Sequence, residues 1–290
     1  MPSFLDKYID EKVTCEELEQ QADRVLETND PTPLDLTASE FELFERLGKD
    51  ALDKIIEARK QKREIIAKWK TFFREVIAVN HMKNTTKLKN INEFDLNPFL
   101  DTYKANFLMG DSSAESKATA LVYARALGTS INTSFGTNLQ KFCSEILSGY
   151  ASTTSGIDIE YVDFIDGKRK YCQIKAGPNT INKDDVQTIK GHFTGVRNLA
   201  RTNNIDVGFN DLVVGVFYGT EADLSSHYKK IMEEYPVHIG QDFWFRLTGD
   251  ETFYSALTKA VEEVAEEYDG REILEETIDA LASEIQEVGD

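Results

Sequence analysis

The chain has 290 residues, 41% of them hydrophobic, so it can bury a large core and is not a disordered protein. Its 33 Lys and Arg against 51 Asp and Glu give a net charge of −18, which excludes a surface that is basic throughout. Cys15, Cys143 and Cys172 are too few and too scattered for a disulfide framework or a zinc site. The N-terminus has no signal-peptide pattern, and the longest apolar run, Leu212 to Tyr218, is too short for a membrane span. We therefore expect a soluble cytoplasmic protein.

The first part of the chain is predicted to be helical. Apolar residues from Ser39 to about Val79 keep close to a helical period, and Ser39 with Glu42 matches a capping box. A helix of that length exceeds the usual globular range, so neighbouring helices or a second subunit should cover its apolar face.

Charge is distributed unevenly along the chain. Between Arg59 and Lys89 there are ten Lys or Arg against two acids, while residues 250–290 contain fourteen acids. The basic run is either an ordinary solvated helix face, which the sequence alone favours, or a phosphate-contacting patch. Because the acidic tail supplies much of the negative charge, the middle of the chain need not repel DNA.

Residues 80–135 have mixed character. Turns are expected at Asn97-Pro98, Gly110-Asp111 and Gly128. A helix is predicted from about Glu115 to Leu127.

The pattern changes to that of a sheet after residue 156. Residues 157–164 and 170–176 alternate like strands, and Asp166-Gly167 between them is typical of a hairpin turn. A helix is predicted over 182–202, followed by a strand buried on both faces over 211–218. The order hairpin, crossover helix, buried strand predicts a small α/β sheet.

Three residues on the predicted hairpin suggest a catalytic site. Gln173 and Lys175 lie two positions apart on one strand and so share a face, and pairing across the turn can bring Asp158 beside them. A carboxylate, a second oxygen ligand and a lysine suit metal-assisted hydrolysis of a phosphodiester. The alternative for Asp158 and Lys175 taken individually is a solvated sheet face, which spacing alone favours.

Several short segments, in order over residues 95–250, resemble the type II restriction endonucleases of the PD-(D/E)xK superfamily. The closest resemblance is to the group that cuts purine-GG-N-CC-pyrimidine. The segments are Leu96-Asn-Pro-Phe99, Ser134-Phe-Gly136, Ile157-Asp158, Asp166-Gly167, Ile174-Lys-Ala-Gly177, Asp211-Leu-Val-Val-Gly-Val-Phe-Tyr-Gly219, and Val237-His238 leading into Asp242-Phe-Trp244.

The resemblance implies a restriction-endonuclease-like α/β (α+β) fold, with a mixed central sheet flanked by helices and a large helical accessory part. It implies a nuclease core over 95–249, a helical dimerisation region over 1–94, and acidic C-terminal helices over 250–290 packed on the helical part. The implied protein is a Mg²⁺-dependent homodimer that cuts double-stranded DNA to leave 5′-phosphate ends. It would serve restriction–modification in a bacterial or archaeal cytoplasm, without a membrane or a nucleotide cofactor.

The same resemblance implies roles for individual residues. Asp158 takes the metal-binding role and Lys175 the catalytic one, with the Ile174 carbonyl as a further metal ligand. Gln173 departs from the usual acid, and its neutral amide oxygen is a poorer ligand for Mg²⁺. Glu145, on the preceding helix, is either an additional metal-site acid or an ordinary surface residue.

A basic stripe marks the helix after the hairpin. Lys183, Lys190 and Arg197 recur every seven residues, with Arg201 four further on, so they share one side of the helix. The stripe predicts phosphate contacts, although a solvated face is the alternative for each residue taken singly.

Other functions have weaker support. The sequence has no Walker A motif or nucleophile elbow, and its four His residues form no zinc-ligand pair, so we expect them to be structural. The alternatives to a restriction enzyme are a repair or junction-resolving nuclease of the same fold, and a non-cutting DNA-binding or assembly protein with a decayed nuclease core.

Overall fold

The computed structural model describes residues 2–145 and 150–289, without the side chains of residues 140 and 143–145. The predicted thiol Cys143 therefore lies outside the described side chains, whereas Cys15 is exposed and Cys172 is buried. In chain order the elements are α1 (Phe4–Ile9), α2 (Cys15–Thr28), α3 (Ala38–Leu47), α4 (Leu52–Phe72), α5 (Val79–Lys87), α6 (Pro98–Met109), α7 (Ala114–Tyr123), α8 (Ile131–Glu145), β1 (Ile159–Val162), β2 (Arg169–Lys175), α9 (Lys183–Thr202), β3 (Leu212–Val216), α10 (Ser226–Met232), β4 (Val237–Ile239), α11 (Gly240–Thr248), α12 (Phe253–Ala265) and α13 (Arg271–Gly289).

A four-stranded mixed sheet in the order β1-β2-β3-β4 lies at the centre of the fold. β1 and β2 form an antiparallel hairpin with Ile159 opposite Cys172, and β3 and β4 run parallel to β2. The turn between β1 and β2 contains Gly167 at φ 68°, which glycine adopts readily. The predicted hairpin, crossover helix and buried strand are confirmed, as is the mixed α/β class.

Each face of the sheet is covered by helices. On one face Cys172 and Ile174 pack with Trp69 of α4, Phe142 of α8 and Leu257 of α12. On the opposite face, the side chains of α9 and α10 pack on alternate residues of β3. Residues of α4 and α12 therefore share a core with the sheet. The division of the chain at about residues 94 and 249 stays a prediction.

The long N-terminal helix differs from the prediction in its start and its continuity. The capping box is formed by Thr37 and Glu40 rather than by Ser39 and Glu42. α3 ends at Gly48, whose φ of 58° ends the helical run, and the long helix begins at Leu52. From there it continues through a π-helical stretch over Phe73–Ala78 into α5.

The apolar face of α4 is buried inside the chain. Its first half packs in a cluster with α1, α2 and α3, and its second half packs under the sheet. Neighbouring helices therefore cover this face, and it leaves no surface that requires a second subunit.

The helix predicted to end at about Leu127 is also longer than expected. α7 continues through a π-helical stretch over Ala124–Ser130 into α8 without a break. Gly128 does not form a turn there, and the buried Ala126, two residues before it, packs in a cluster with Ile278 and Leu281 of α13.

Acidic residues from other elements neutralise most of the basic run on α4 and α5. Seven of its ten cations lie in ion pairs, and four of the seven pair with acids from residues 250–290. The pairs are Arg59–Glu40, Lys62–Asp250, Arg63 with Asp6 and Asp10, Lys68–Glu64, Lys70–Glu263, Arg74–Glu267 and Lys89–Glu276. This pairing favours the interpretation of the basic run as an ordinary helix surface, and it disfavours a phosphate-contacting patch.

Over residues 2–145 and 150–289, the helices lack the length and apolar character that crossing a membrane requires.

Candidate active site

Asp158 lies directly before β1, where the hairpin holds it against β2. Its backbone N–H donates to the carbonyl of Cys172 at 3.0 Å, and its Oδ2 accepts the N–H of Ile174 at 2.7 Å. The side chain therefore takes the place that a further β1 residue would occupy at this edge of β2. The predicted pairing of Asp158 with the Gln-x-Lys strand is present.

The Ile174 carbonyl lies on the same edge of β2 as Asp158. In an antiparallel pair the N–H and C=O of one residue point to the same neighbouring strand. Because the Ile174 N–H reaches Asp158, the Ile174 oxygen also points toward the end of β1. Two oxygen donors, one of them anionic, thus lie at one edge of the sheet.

Lys175 completes this cluster beside an open cleft. Asp158, Ile174 and Lys175 line a cleft of about 360 Å³ together with Gly136 of α8 and Thr180. The positive charge of Lys175 acts on the Asp158 carboxyl through space. An acid and a lysine in one solvent-open cleft can act on a substrate that approaches from outside.

Burial raises the pKa of the Asp158 carboxyl above its ordinary value. The Ile174 N–H and the charge of Lys175 oppose this shift, because they favour the carboxylate. Desolvation is the larger effect, and a bound cation would offset it.

Gln173 shares one face of β2 with Lys175 and is buried there against α9. Its Nε2 donates to the carbonyl oxygen of Gly156 and to Nδ1 of His192, the latter at 2.6 Å. Gly156 lies at φ 78°, and a Cβ there would meet the His192 ring at 2.4 Å, so only glycine fits this approach. The amide nitrogen is therefore held between two acceptors, and Oε1 is the atom that could reach a metal ion. The role of Gln173 as a ligand stays a prediction.

We expect Gln173→Glu to destabilise the fold. A carboxylate has no N–H to donate to the carbonyl oxygen of Gly156, and two buried acceptors left facing each other without a hydrogen bond cost about 1–3 kcal/mol.

Thermal unfolding of Gln173→Glu, beside Gln187→Glu on the exposed face of α9, tests this placement. The control introduces the same charge away from Gly156 and His192. Equal stability of the two variants would contradict the contact with Gly156 and His192.

The remaining predicted metal ligand, Glu145, is the last residue of α8, and its side chain lies outside the described part of the structure. Among the described residues no group of three His, Cys, Asp or Glu side chains could hold a metal ion. Mg²⁺ is nevertheless commonly held by one or two carboxylates, with waters and substrate phosphate completing the shell. The Asp158 carboxylate and the Ile174 carbonyl fit such a site.

The predicted basic stripe lies on the flank of α9 that faces away from this cluster. Lys190 pairs with Glu234 at 2.5 Å, and the Arg197 guanidinium lies 3.7 Å over the ring of Phe209. His192, which contacts Gln173, lies two residues beyond Lys190 and so on the opposite flank of the helix. Lys183 and Arg201 are exposed on the same side as Lys190. Contact between this stripe and DNA stays a prediction. The position of the stripe, on the flank of α9 away from Asp158 and Lys175, does not support it.

His192 is the contact that the sequence did not identify with the site. Helical spacing places it at the border of the apolar stripe of α9, but no local pattern says which strand residue it meets. Its neighbour Gly156 precedes Asp158 by two residues, and a glycine there is the one feature of the sequence compatible with a close approach.

The chain matches a family model described as Type II restriction endonuclease EcoO109I, over residues 59–269. The match covers well over half of the chain and includes the hairpin with Asp158, Gln173 and Lys175. A search of curated proteins found no match.

Proposed function

The chain belongs to the EcoO109I family of type II restriction endonucleases, and we propose that it cuts double-stranded DNA at one sequence in a Mg²⁺-dependent reaction at Asp158 and Lys175. The observation that supports this site is the cluster of Asp158, Ile174 and Lys175 in one open cleft. Family membership makes the protein a nuclease acting on DNA. The PD-(D/E)xK assignment, the metal and the products are the proposed part.

The Asp158 carboxylate and the Ile174 carbonyl would hold Mg²⁺ at the end of β1. When bound, the ion polarises the phosphoryl oxygen and lowers the pKa of a coordinated water. The ammonium of Lys175 orients the attacking water and stabilises the charge that develops on the phosphate. The hydrogen bond from the Ile174 N–H to Oδ2 holds the carboxylate in place beside the cleft.

Hydrolysis at this site is proposed to leave a 5′-phosphate and a 3′-hydroxyl. In-line attack of water on phosphorus breaks the bond to the 3′ oxygen, which leaves as the hydroxyl after protonation. Gln173, which replaces the commoner acid, leaves Asp158 as the main charge that attracts the ion. Metal affinity without DNA should therefore be weak, because the scissile phosphate completes the site.

Digestion of phage DNA with Mg²⁺ separates this function from its alternatives. We expect discrete fragments from linear duplex DNA. A repair or junction-resolving nuclease would leave linear duplex uncut or cut it without a repeated sequence. A DNA-binding protein with a decayed core would give no fragments at any Mg²⁺ concentration.

A homodimer is proposed, and the exposed face of α6 is the surface that supports it. Phe99, Tyr103 and Phe107 are 86%, 64% and 80% exposed and form a ridge at four-residue spacing. Leu96, Leu100, Leu108 and Met109 flank this ridge, each about half exposed. The opposite side of the helix packs on α7 through the buried Ala105.

The area of this α6 face suits a second copy of the chain. Its seven apolar side chains expose roughly 900 Å², and a standard interface takes about 800 Å² from each partner. The charges on the helix, Asp101 and Lys104, pair with each other at 3.1 Å. Two copies related by a two-fold axis therefore meet there without like-charge repulsion, although each carries −18 overall.

We expect Phe99→Glu combined with Phe107→Glu to convert a dimer into a monomer of 32.8 kDa. Four like charges would be buried at the two-fold contact, whereas both side chains are exposed in the single chain, so folding should be retained. Light scattering at tens of micromolar gives the mass, with Leu26→Glu on α2 as the control. A wild-type mass of one chain, or a double variant that remains a dimer, would contradict the use of this face.

A further inference from the structure

Two long segments of this acidic protein contain no acid. Asp and Glu make up 51 of 290 residues, yet residues 76–92 and 116–144 contain neither. The two segments form α5 and the continuous helix of α7 and α8, which pack side by side. His81 on α5 contacts the carbonyl oxygen of Ala126 at 2.9 Å. The fold therefore brings these two acid-free segments together on one surface.

A polar groove of about 440 Å³ runs between these helices. Eight of its twelve lining residues are Asn, Ser or Thr, two are cations, and one, Glu93, is acidic. Asn84 and Lys87 line it from α5, and Arg125, Thr133 and Asn138 line it from the other helix. This composition differs from that of the apolar pockets that take small drug-like ligands.

The cations of the groove are not neutralised by acids. Among the described residues neither Lys87 nor Arg125 forms an ion pair, and the Lys87 ammonium donates to Asn84 Oδ1 at 3.3 Å. On the α9 stripe, Lys190 pairs with Glu234, whereas Lys183 and Arg201 form no ion pair within the described part of the chain. Both groove cations are therefore available to an anionic ligand.

The groove and the catalytic cleft both border α8. Thr137 and Asn138 line the groove, and their sequence neighbours Gly136 and Leu139 line the cleft with Asp158 and Lys175. A Cβ at Gly128 or Gly136 would meet no atom within 4 Å, so the helix surface there is open. Glycine is a poor helix former, so the two glycines do not stabilise this helix. Because neither has a side chain, the backbone of a ligand can approach the helix closely at both positions.

We propose that this groove binds the DNA duplex next to the cleft, with Lys87 and Arg125 contacting phosphates and the Asn, Ser and Thr side chains donating to phosphate oxygens and base edges. The proposal rests on the proposed function, because it concerns the substrate of that site. Such side chains make most protein contacts to DNA phosphates, and Asn also pairs with adenine in the major groove. The groove takes the role that the sequence assigned to the α9 stripe.

The test compares two double variants, Lys87→Ala with Arg125→Ala in the groove, and Lys183→Ala with Arg201→Ala on the stripe. Binding to a 30-base-pair duplex is measured by fluorescence anisotropy with Ca²⁺ in place of Mg²⁺, between about 50 and 200 mM salt. Wild-type cleavage of phage DNA with Mg²⁺ is measured in parallel, and thermal unfolding verifies that each variant folds.

We expect the groove variant to bind at least about tenfold more weakly at 50 mM salt, with a salt slope smaller by about two. The stripe variant should bind like wild type. Wild-type affinity and slope in the groove variant, while the wild-type protein cuts DNA, would overturn the groove and leave the proposed function intact. A wild-type protein that neither binds nor cuts the duplex would overturn both.

Discussion

Lys175→Ala is expected to lower the single-turnover cleavage rate by about 10²–10³-fold or more, because it removes the cation that stabilises charge on the reacting phosphate. DNA affinity should change by no more than a few-fold, since one charge among many phosphate contacts is lost. Rates with saturating enzyme, together with a binding isotherm in Ca²⁺, separate these two effects.

Lys168→Ala is the matched control for this lysine. Lys168 lies on the same hairpin and is exposed in the turn before β2. Its replacement by Ala removes the same charge as Lys175→Ala without changing a residue of the cleft. It should cut at the wild-type rate. If Lys175→Ala also cuts at the wild-type rate, Lys175 is not the catalytic lysine.

Asp158→Asn is expected to abolish cleavage while leaving the fold as stable as wild type or more stable. The amide oxygen still accepts the Ile174 N–H, but the anion that attracts the metal is gone. Burial raises the pKa of Asp158 in the folded chain, so ionisation of this carboxyl favours the unfolded chain. The variant should gain stability relative to wild type as the pH rises through this titration, and the difference should vanish below it.

Thermal unfolding from pH 3.5 to pH 8, beside cleavage assays at pH 8, measures both halves of this expectation. Asp166→Asn in the hairpin turn is the control for stability. Its carboxylate pairs with the buried Lys170 at 2.6 Å, which lowers the pKa of Asp166, so its loss should destabilise the fold above the ordinary pKa of Asp. An Asp158→Asn variant that cuts DNA would exclude Asp158 as the essential metal-binding residue.

The sequence predicts the part of the site that the β1–β2 hairpin forms by pairing of neighbouring strands. Strand alternation and the Asp166-Gly167 turn determine the hairpin, and the hairpin alone brings Asp158 to β2. The partner of Gln173 depends on where α9 packs, so the contact with His192 has no local pattern.

The helical part shows where periodicity misleads. Thr37 and Ser39 each have a Glu three residues later, so two capping boxes compete, and only tertiary packing selects Thr37. A helical period does not show which elements cover the face of α4, and α1 to α3 cover its first half. The dimerisation role of residues 1–94 stays a prediction. The groove is formed by segments about 40 residues apart, so its polarity is visible only after folding.

The sequences of the cut ends from a complete Mg²⁺ digest of phage DNA test the central claim most directly. We predict that every end carries a 5′-phosphate, that all ends share one palindromic or interrupted-palindromic sequence cut on both strands, and that Asp158→Asn and Lys175→Ala protein prepared alongside produce none. Ends without a common sequence, or the same ends from Asp158→Asn protein, would contradict a site-specific endonuclease acting through this cleft.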